Sequence, residues 1–222
     1  MRSGRHCACA APRSARPGPW SRFRRRGQGL RSPPAPPRCK RAGTAPIVRR
    51  LRGWRPIPML VDLPTAARYN AWANERLYAA CAALSHEERI LDRRGFFRSI
   101  HATLNHILLS DLIYRERLEK KPTAFTRLDE ILYEDFAELR KAHAAQDRWY
   151  IGYSDGLDSA ELDGTLSFDT VETGEYFSLP LRRCLTNLFQ HQIHHRGQTH
   201  HMLSHAGKDP PPLDFIKFSA GE

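Results

Sequence analysis

An abrupt change of composition near Met59 limits what this chain can fold. Residues 1–58 hold 15 Arg, Lys40, no Asp or Glu, and ten of the sixteen prolines. A segment of that kind cannot bury enough apolar surface to offset its chain entropy, so it is expected to be disordered. Three readings compete for it. It is an Arg-rich targeting peptide, a basic arm for nucleic acid or membrane, or an upstream extension outside the working protein, with Met59 as the start. The overall charge of +11 therefore misleads: residues 59–222 carry 19 basic and 24 acidic side chains, a net of −5. The part that can fold is not attracted to phosphate backbones, which disfavours a nucleic-acid partner. No apolar run approaches the ~18 residues that span a bilayer. Cys81 and Cys184 are the only cysteines after Met59 and do not suggest a disulfide framework, so a reducing cytoplasm is expected.

Four segments after Met59 have helical period. The first runs from Thr65 to Leu84, capped by Asp62, with Ala66, Asn70, Ala73, Leu77, Ala80 and Leu84 inward. Ser85-His86-Glu87-Glu88 fits a capping box and a short helical turn. The second runs from Ser99 to about Lys120, with Ile100, Thr103, His106, Ile107, Leu109 and Ile113 buried. The third spans Leu128 to about Tyr150, with Leu128, Leu132, Phe136, Leu139 and His143 as its stripe. The fourth runs from about Pro180 to His205, and Gly207 stops it. Between the third and fourth, Leu162–Leu179 favours strands around a Glu172-Thr173-Gly174 turn. Leu213, Phe215, Ile216 and Phe218 follow three prolines and are apolar enough to pack back. The expected fold is all-α, an antiparallel four-helix bundle with a small β-hairpin or extended excursion before the last helix, whose crossover is the longest connection.

Six of the eleven histidines fall in the fourth helix. One stripe reads Cys184, Leu188, His191, His195, Gln198 and Met202, and its apolar members turn it to the core. The other reads Asn187, Gln190, His194, His201 and His205 and faces solvent. His191 and His195, at i and i+4, thus present two imidazoles on one inner face, as a shared metal requires. A third ligand must come from another helix. His106 is the best placed, His101 is weaker, and His143 is a further candidate. Paired core histidines can also simply hydrogen-bond each other. The spacing matches the His-Glu-x-x-His metalloproteases, but Gln192 stands where their glutamate base would be and cannot accept a proton, so peptidase chemistry is disfavoured. Cys184 lies about 10 Å along the axis from His191, too far to be a ligand.

Three motifs carry a family resemblance: Tyr69-Asn70-x-Trp72-Ala73-Asn74-x-x-Leu77, Ser99-Ile100-x-x-Thr103-Leu104-Asn105-His106, and His191-x-x-x-His195-Arg196-Gly197-Gln198. In these residues the chain resembles the DinB family from Met59 to about Phe218. The resemblance implies a DinB-like four-helix bundle over residues 59–222, a homodimer, and one divalent metal ion (zinc, nickel or ferrous iron) held by His106, His191 and His195. Related proteins are thiol-dependent transferases or isomerases that use a low-molecular-weight thiol as cosubstrate. The leading expectation is a metal-dependent S-transferase acting on a small electrophile. The alternatives are a non-enzymatic metal-binding stress-response protein and a hydrolase that activates water. Asn105 and Gln198 are expected to brace the ligands from behind. Asn70 or Asn74 is expected to make a polar inner contact, and Trp72 to pack. Arg196 is expected in a salt bridge to a neighbouring helix, and Asp111 on the surface or pairing between helices.

Overall fold

The structure is a computed structural model and describes residues 61–221. The expected disorder of residues 1–58 lies outside the described residues. Each helix start is a local decision of the chain. The Asp62 carboxylate accepts from the Thr65 N–H and begins α1, Leu63–Ala82, with Pro64 in its first turn, where a missing N–H costs nothing. Ser85 and Glu88 cap each other reciprocally over α2, His86–Ile90. Ser99 caps α3, Ile100–Leu118, and Asp135 caps α4, Phe136–Gly156. After α5, Ser159–Asp163, come β1, Thr165–Asp169, and β2, Tyr176–Pro180, then α6, Leu181–His205, and α7, Phe215–Ser219. Gly207 ends α6 at φ +68°, with the Lys208 N–H returning to the Leu203 carbonyl, the left-handed stop that a glycine makes cheap.

The four long helices form the bundle, and the chain takes them up, down, down, up. One apolar cluster joins the C-terminal half of α1 (Leu77, Cys81) to the first turns of α3 and α4 and the end of α6 (Leu203). The other joins the opposite ends: Leu63, Tyr150, Leu185 and Leu188, with Leu118 alongside. Consequently α1 runs antiparallel to α4, and α3 antiparallel to α6, while the consecutive pair α3 and α4 lie side by side in parallel. A parallel neighbour can be reached only by returning along the length of the helix just made, about 28 Å for 19 residues.

Residues 119–135 make that return, which corrects the third helix read from sequence. Leu128 and Leu132 kept helical spacing with Phe136, but they belong to the crossover, and α4 starts eight residues later than expected. The hairpin is as expected. Its half-buried face, Leu166 and Phe168 on β1 with Phe177 and Leu179 on β2, pairs in register and turns toward the bundle. The C-terminal segment packs back through Phe215 and Phe218 against Tyr69, whereas Ile216 is 74% exposed. No helix among the described residues is long and apolar enough to cross a membrane.

Between the two apolar clusters lies a buried polar layer. Arg196 of α6 donates to the side-chain oxygens of Asn70 and Asn74 on α1, and both amides donate onward to Asp147 of α4 at 3.0 Å. Gln192, one turn back on α6, donates to the Asp111 carboxylate on α3. His143 sits 3.2 Å from the other Asp111 oxygen, with its second ring nitrogen 3.0 Å from the Tyr78 hydroxyl. The two carboxylates raise the His143 pKa against the pull of burial. Burial pushes the Asp111 carboxyl up to about 6 and also raises Asp147, and His143 and Arg196 oppose both rises, so the acids and the cations of the layer depend on one another. The polar inner contact expected of Asn70 or Asn74 is made by both. Arg196 corrects its expectation, because it reaches the carboxylate through two amides rather than directly. Asp111 is 1% exposed and pairs between helices, not at the surface.

Candidate metal centre

His106 comes from the middle of α3, where nine successive residues from Thr103 to Asp111 are all buried. His191 and His195 come from α6, one turn apart at the flank of its buried arc. The centre of that arc is Leu185, Gln192, Arg196, Thr199 and Leu203. The stripe read from sequence was therefore rotated by about one residue: His191 and His195 stand at the edge of the core rather than in its middle. An edge position is what an accessible site needs.

One ring nitrogen from each of the three lies within 4.8 Å of the other two. His106 Nε2 and His191 Nε2 are 3.2 Å apart. Two imidazole nitrogens bonded at about 2.0–2.1 Å to one tetrahedral ion stand about 3.3 Å apart, so the pair already has the span of a ligand pair. The outer nitrogens fix the tautomers. His106 Nδ1 is 2.7 Å from the Leu128 carbonyl, which can only accept, so Nδ1 carries the hydrogen and Nε2 keeps its lone pair. His195 Nδ1 donates in the same way to Gln198 Oε1 at 2.8 Å. Such bracing is the usual outer arrangement around a metal-binding imidazole. His191 Nδ1 is buried and without a partner.

All three rings are neutral at pH 7. Burial drives His106 down to about 4, opposed by the Leu128 carbonyl, with His195 adding to the fall. Burial also drives His191 down to about 3, helped by the other histidines, and lowers His195. An unfolded histidine titrates near 6.5. Between that value and about 4, the unfolded metal-free chain takes up protons that the fold excludes. This contribution to stability is thus complete above pH ~6.5 and is lost as the pH falls toward 4. Urea unfolding of the metal-free protein at pH 7 and pH 5 is expected to show a larger loss in wild type than in His191→Gln.

Phe97 forms one wall. Its ring stacks on His106 with centroids 3.8 Å apart and meets His195 edge-on at 5.5 Å. The turn that carries it places Arg94 and Arg98 at φ 61° and 67°, a costly conformation for both, and is tied by Arg98 N–H to the Gly95 carbonyl. A cavity of about 450 Å³ opens beside the histidines, bordered by His106, His191, Ile113, Leu128, Cys184 and the inner face of the hairpin. Burial raises the Cys184 thiol, so it stays protonated and is no nucleophile.

The sequence-derived set is thus placed as follows. His106, His191 and His195 converge. His101 is turned to the Tyr133 carbonyl and His143 belongs to the polar layer, so neither joins them. Gln198 Oε1 accepts from His195 Nδ1, and the Gln198 amide also donates to His194. Asn105 does not touch the His106 ring. It clamps the crossover by accepting from the Leu132 and Tyr133 N–H groups, and so supports the segment whose Leu128 carbonyl holds His106. Phe97 and Leu128 were missed. The only sequence signal for Phe97 was an apolar pair, Phe96-Phe97, in a loop just before a cap. Replacing Gln198 by alanine is expected to weaken zinc binding by roughly 10–100-fold, read by competition with a chromophoric chelator.

A helical bundle whose adjoining helices bring three neutral imidazoles to one point beside a cavity defines a class of protein with a metal-compatible three-histidine centre. Residues 59–222 match the family model described as DinB family, and the chain belongs to that family. No curated protein matches the chain.

Proposed function

We propose that residues 59–222 form a metal-dependent enzyme of the thiol S-transferase type acting on a small electrophile. The observation that carries this reading is the convergence of three neutral imidazoles beside a cavity of about 450 Å³, a size typical of small-molecule sites. His106, His191 and His195 would hold a divalent cation, and three protein ligands would leave a coordination position for a small molecule. Bound there, such an ion supplies Lewis acidity that favours a thiolate at neutral pH. Leu128 and Gln198 hold the imidazoles in the required tautomer. Phe97 and the apolar hairpin face keep water from the reacting groups. The thiol gives its proton to solvent, its sulfur forms the new C–S bond, and the displaced group leaves with the bonding pair.

Hydrolysis is less well supported. It needs a base for water, yet Gln192 cannot take a proton and is turned to Asp111. The decisive assay uses the full chain loaded with zinc, nickel or ferrous iron, offered glutathione, bacillithiol or mycothiol with aryl halide or epoxide electrophiles. Turnover with one thiol, abolished in His191→Ala, is expected. One metal per chain with no turnover for any thiol rejects the transferase and leaves a metal-binding protein without catalysis.

A further inference from the structure

We propose that the cavity beside the histidines takes an amphipathic organic anion, whose carboxylate or phosphonate-like group is held by Arg117 at the end remote from the imidazoles. The proposal rests on the reading above only in treating this cavity as the substrate site. His106 and Arg117 both lie on α3 and both border the cavity, eleven residues apart, about 16 Å along the axis. The lining between them is largely apolar: Ile113, Leu128, Phe168, Phe177 and Leu179. A ligand filling this space has an apolar body, a reactive end at the imidazoles and a second end at the arginine.

The chemistry of that second end follows from Arg117. Its guanidinium lies 4.0 Å over the Phe168 ring and 5.2 Å over the Tyr114 ring, and one nitrogen donates to the Asp169 carbonyl at 3.2 Å. Those contacts use the faces of the guanidinium and one of its five N–H groups. No carboxylate among the described residues forms an ion pair with it, and it is only partly exposed. A half-buried cation in an apolar wall with no counter-charge favours binding of an anion. The one carboxylate on the cavity wall is Glu172, on the exposed hairpin turn, and it forms no ion pair with Arg117.

The bland alternative is that Arg117 only staples the hairpin to α3. Titration of the metal-free full chain separates the two, and removing metal prevents an anion from binding an ion instead. The probes are 4-phenylbutyrate, 3-phenylpropylphosphonate and neutral 4-phenylbutyramide. At least one anionic probe is expected to bind ten times or more tightly than the amide. Arg117→Gln is expected to abolish that preference, Arg117→Lys to retain part of it, and Glu172→Gln to strengthen it. Because residues 1–58 are identical in every variant, their charge cannot produce these differences. Equal affinity for all three probes, or a preference unchanged in a folded Arg117→Gln, overturns the proposal. If Arg117→Gln does not fold, the Glu172→Gln arm decides alone. Metal content is measured separately, so failure here leaves the three-histidine centre standing, and failure of metal loading leaves this test intact.

Discussion

Replacing His191 with alanine is expected to reduce bound divalent metal from about one ion per chain to near none, with the fold retained. Metal sites with an open position use three protein ligands, and the two left behind lie on different helices. The loss should exceed the roughly 10–100-fold that removal of an outer brace costs. His191 suits the test because it is at the edge of the core and its outer nitrogen makes no hydrogen bond that the substitution would break. His106→Ala should lose metal equally, but it also frees the Leu128 carbonyl and the Phe97 ring. Its additional loss of thermal stability would measure how far the crossover depends on that imidazole.

The second large effect is on stability and lies one residue from the site. Arg196→Ala is expected to cost about 3–5 kcal/mol in urea unfolding, as breaking a buried charge network does. The side chain is 2% exposed. Its removal strands the Asn70 and Asn74 oxygens and leaves Asp147 without the cation that balances it. Arg196→Lys should recover only part of the loss, since a single ammonium does not reproduce the planar fork that spans two amides. The same substitution should weaken metal binding in the folded fraction, because Arg196 and Gln192 set the rotation of α6 that presents His191 and His195. A cost below about 1 kcal/mol would mean the layer is solvated and does not act as a unit.

Much of this was legible before the structure. The caps at Asp62, Ser85 and Ser99, the hairpin turn and the Gly207 stop are local chemistry, decided within four residues, and the sequence carries such signals openly. So does the pairing of His191 with His195, because i,i+4 spacing is a property of one helix. The errors arose where the answer depended on two elements at once. Leu128 and Leu132 have helical spacing with Phe136, and only the parallel placement of α3 and α4 turns them into a crossover. The inner arc of α6 was misjudged because Gln192 and Arg196 look like surface residues until their partners on α3 and α1 are known. Asp147 was illegible for the same reason, and for Asp111 the sequence left surface and inter-helix pairing open: a buried carboxylate is marked only by the donors that other helices bring to it. Phe97 stands over the histidines because of a strained turn with no sequence signature of its own.

X-ray absorption and anomalous diffraction on the metal-loaded protein test whether the three imidazoles share an ion. The expected result is one site per chain with His106, His191 and His195 bonded through Nε2 at about 2.0–2.1 Å for zinc, and a further position open to the cavity. An ion found elsewhere, or a protein that stays metal-free under saturating zinc with its histidines ordered as described, would contradict it.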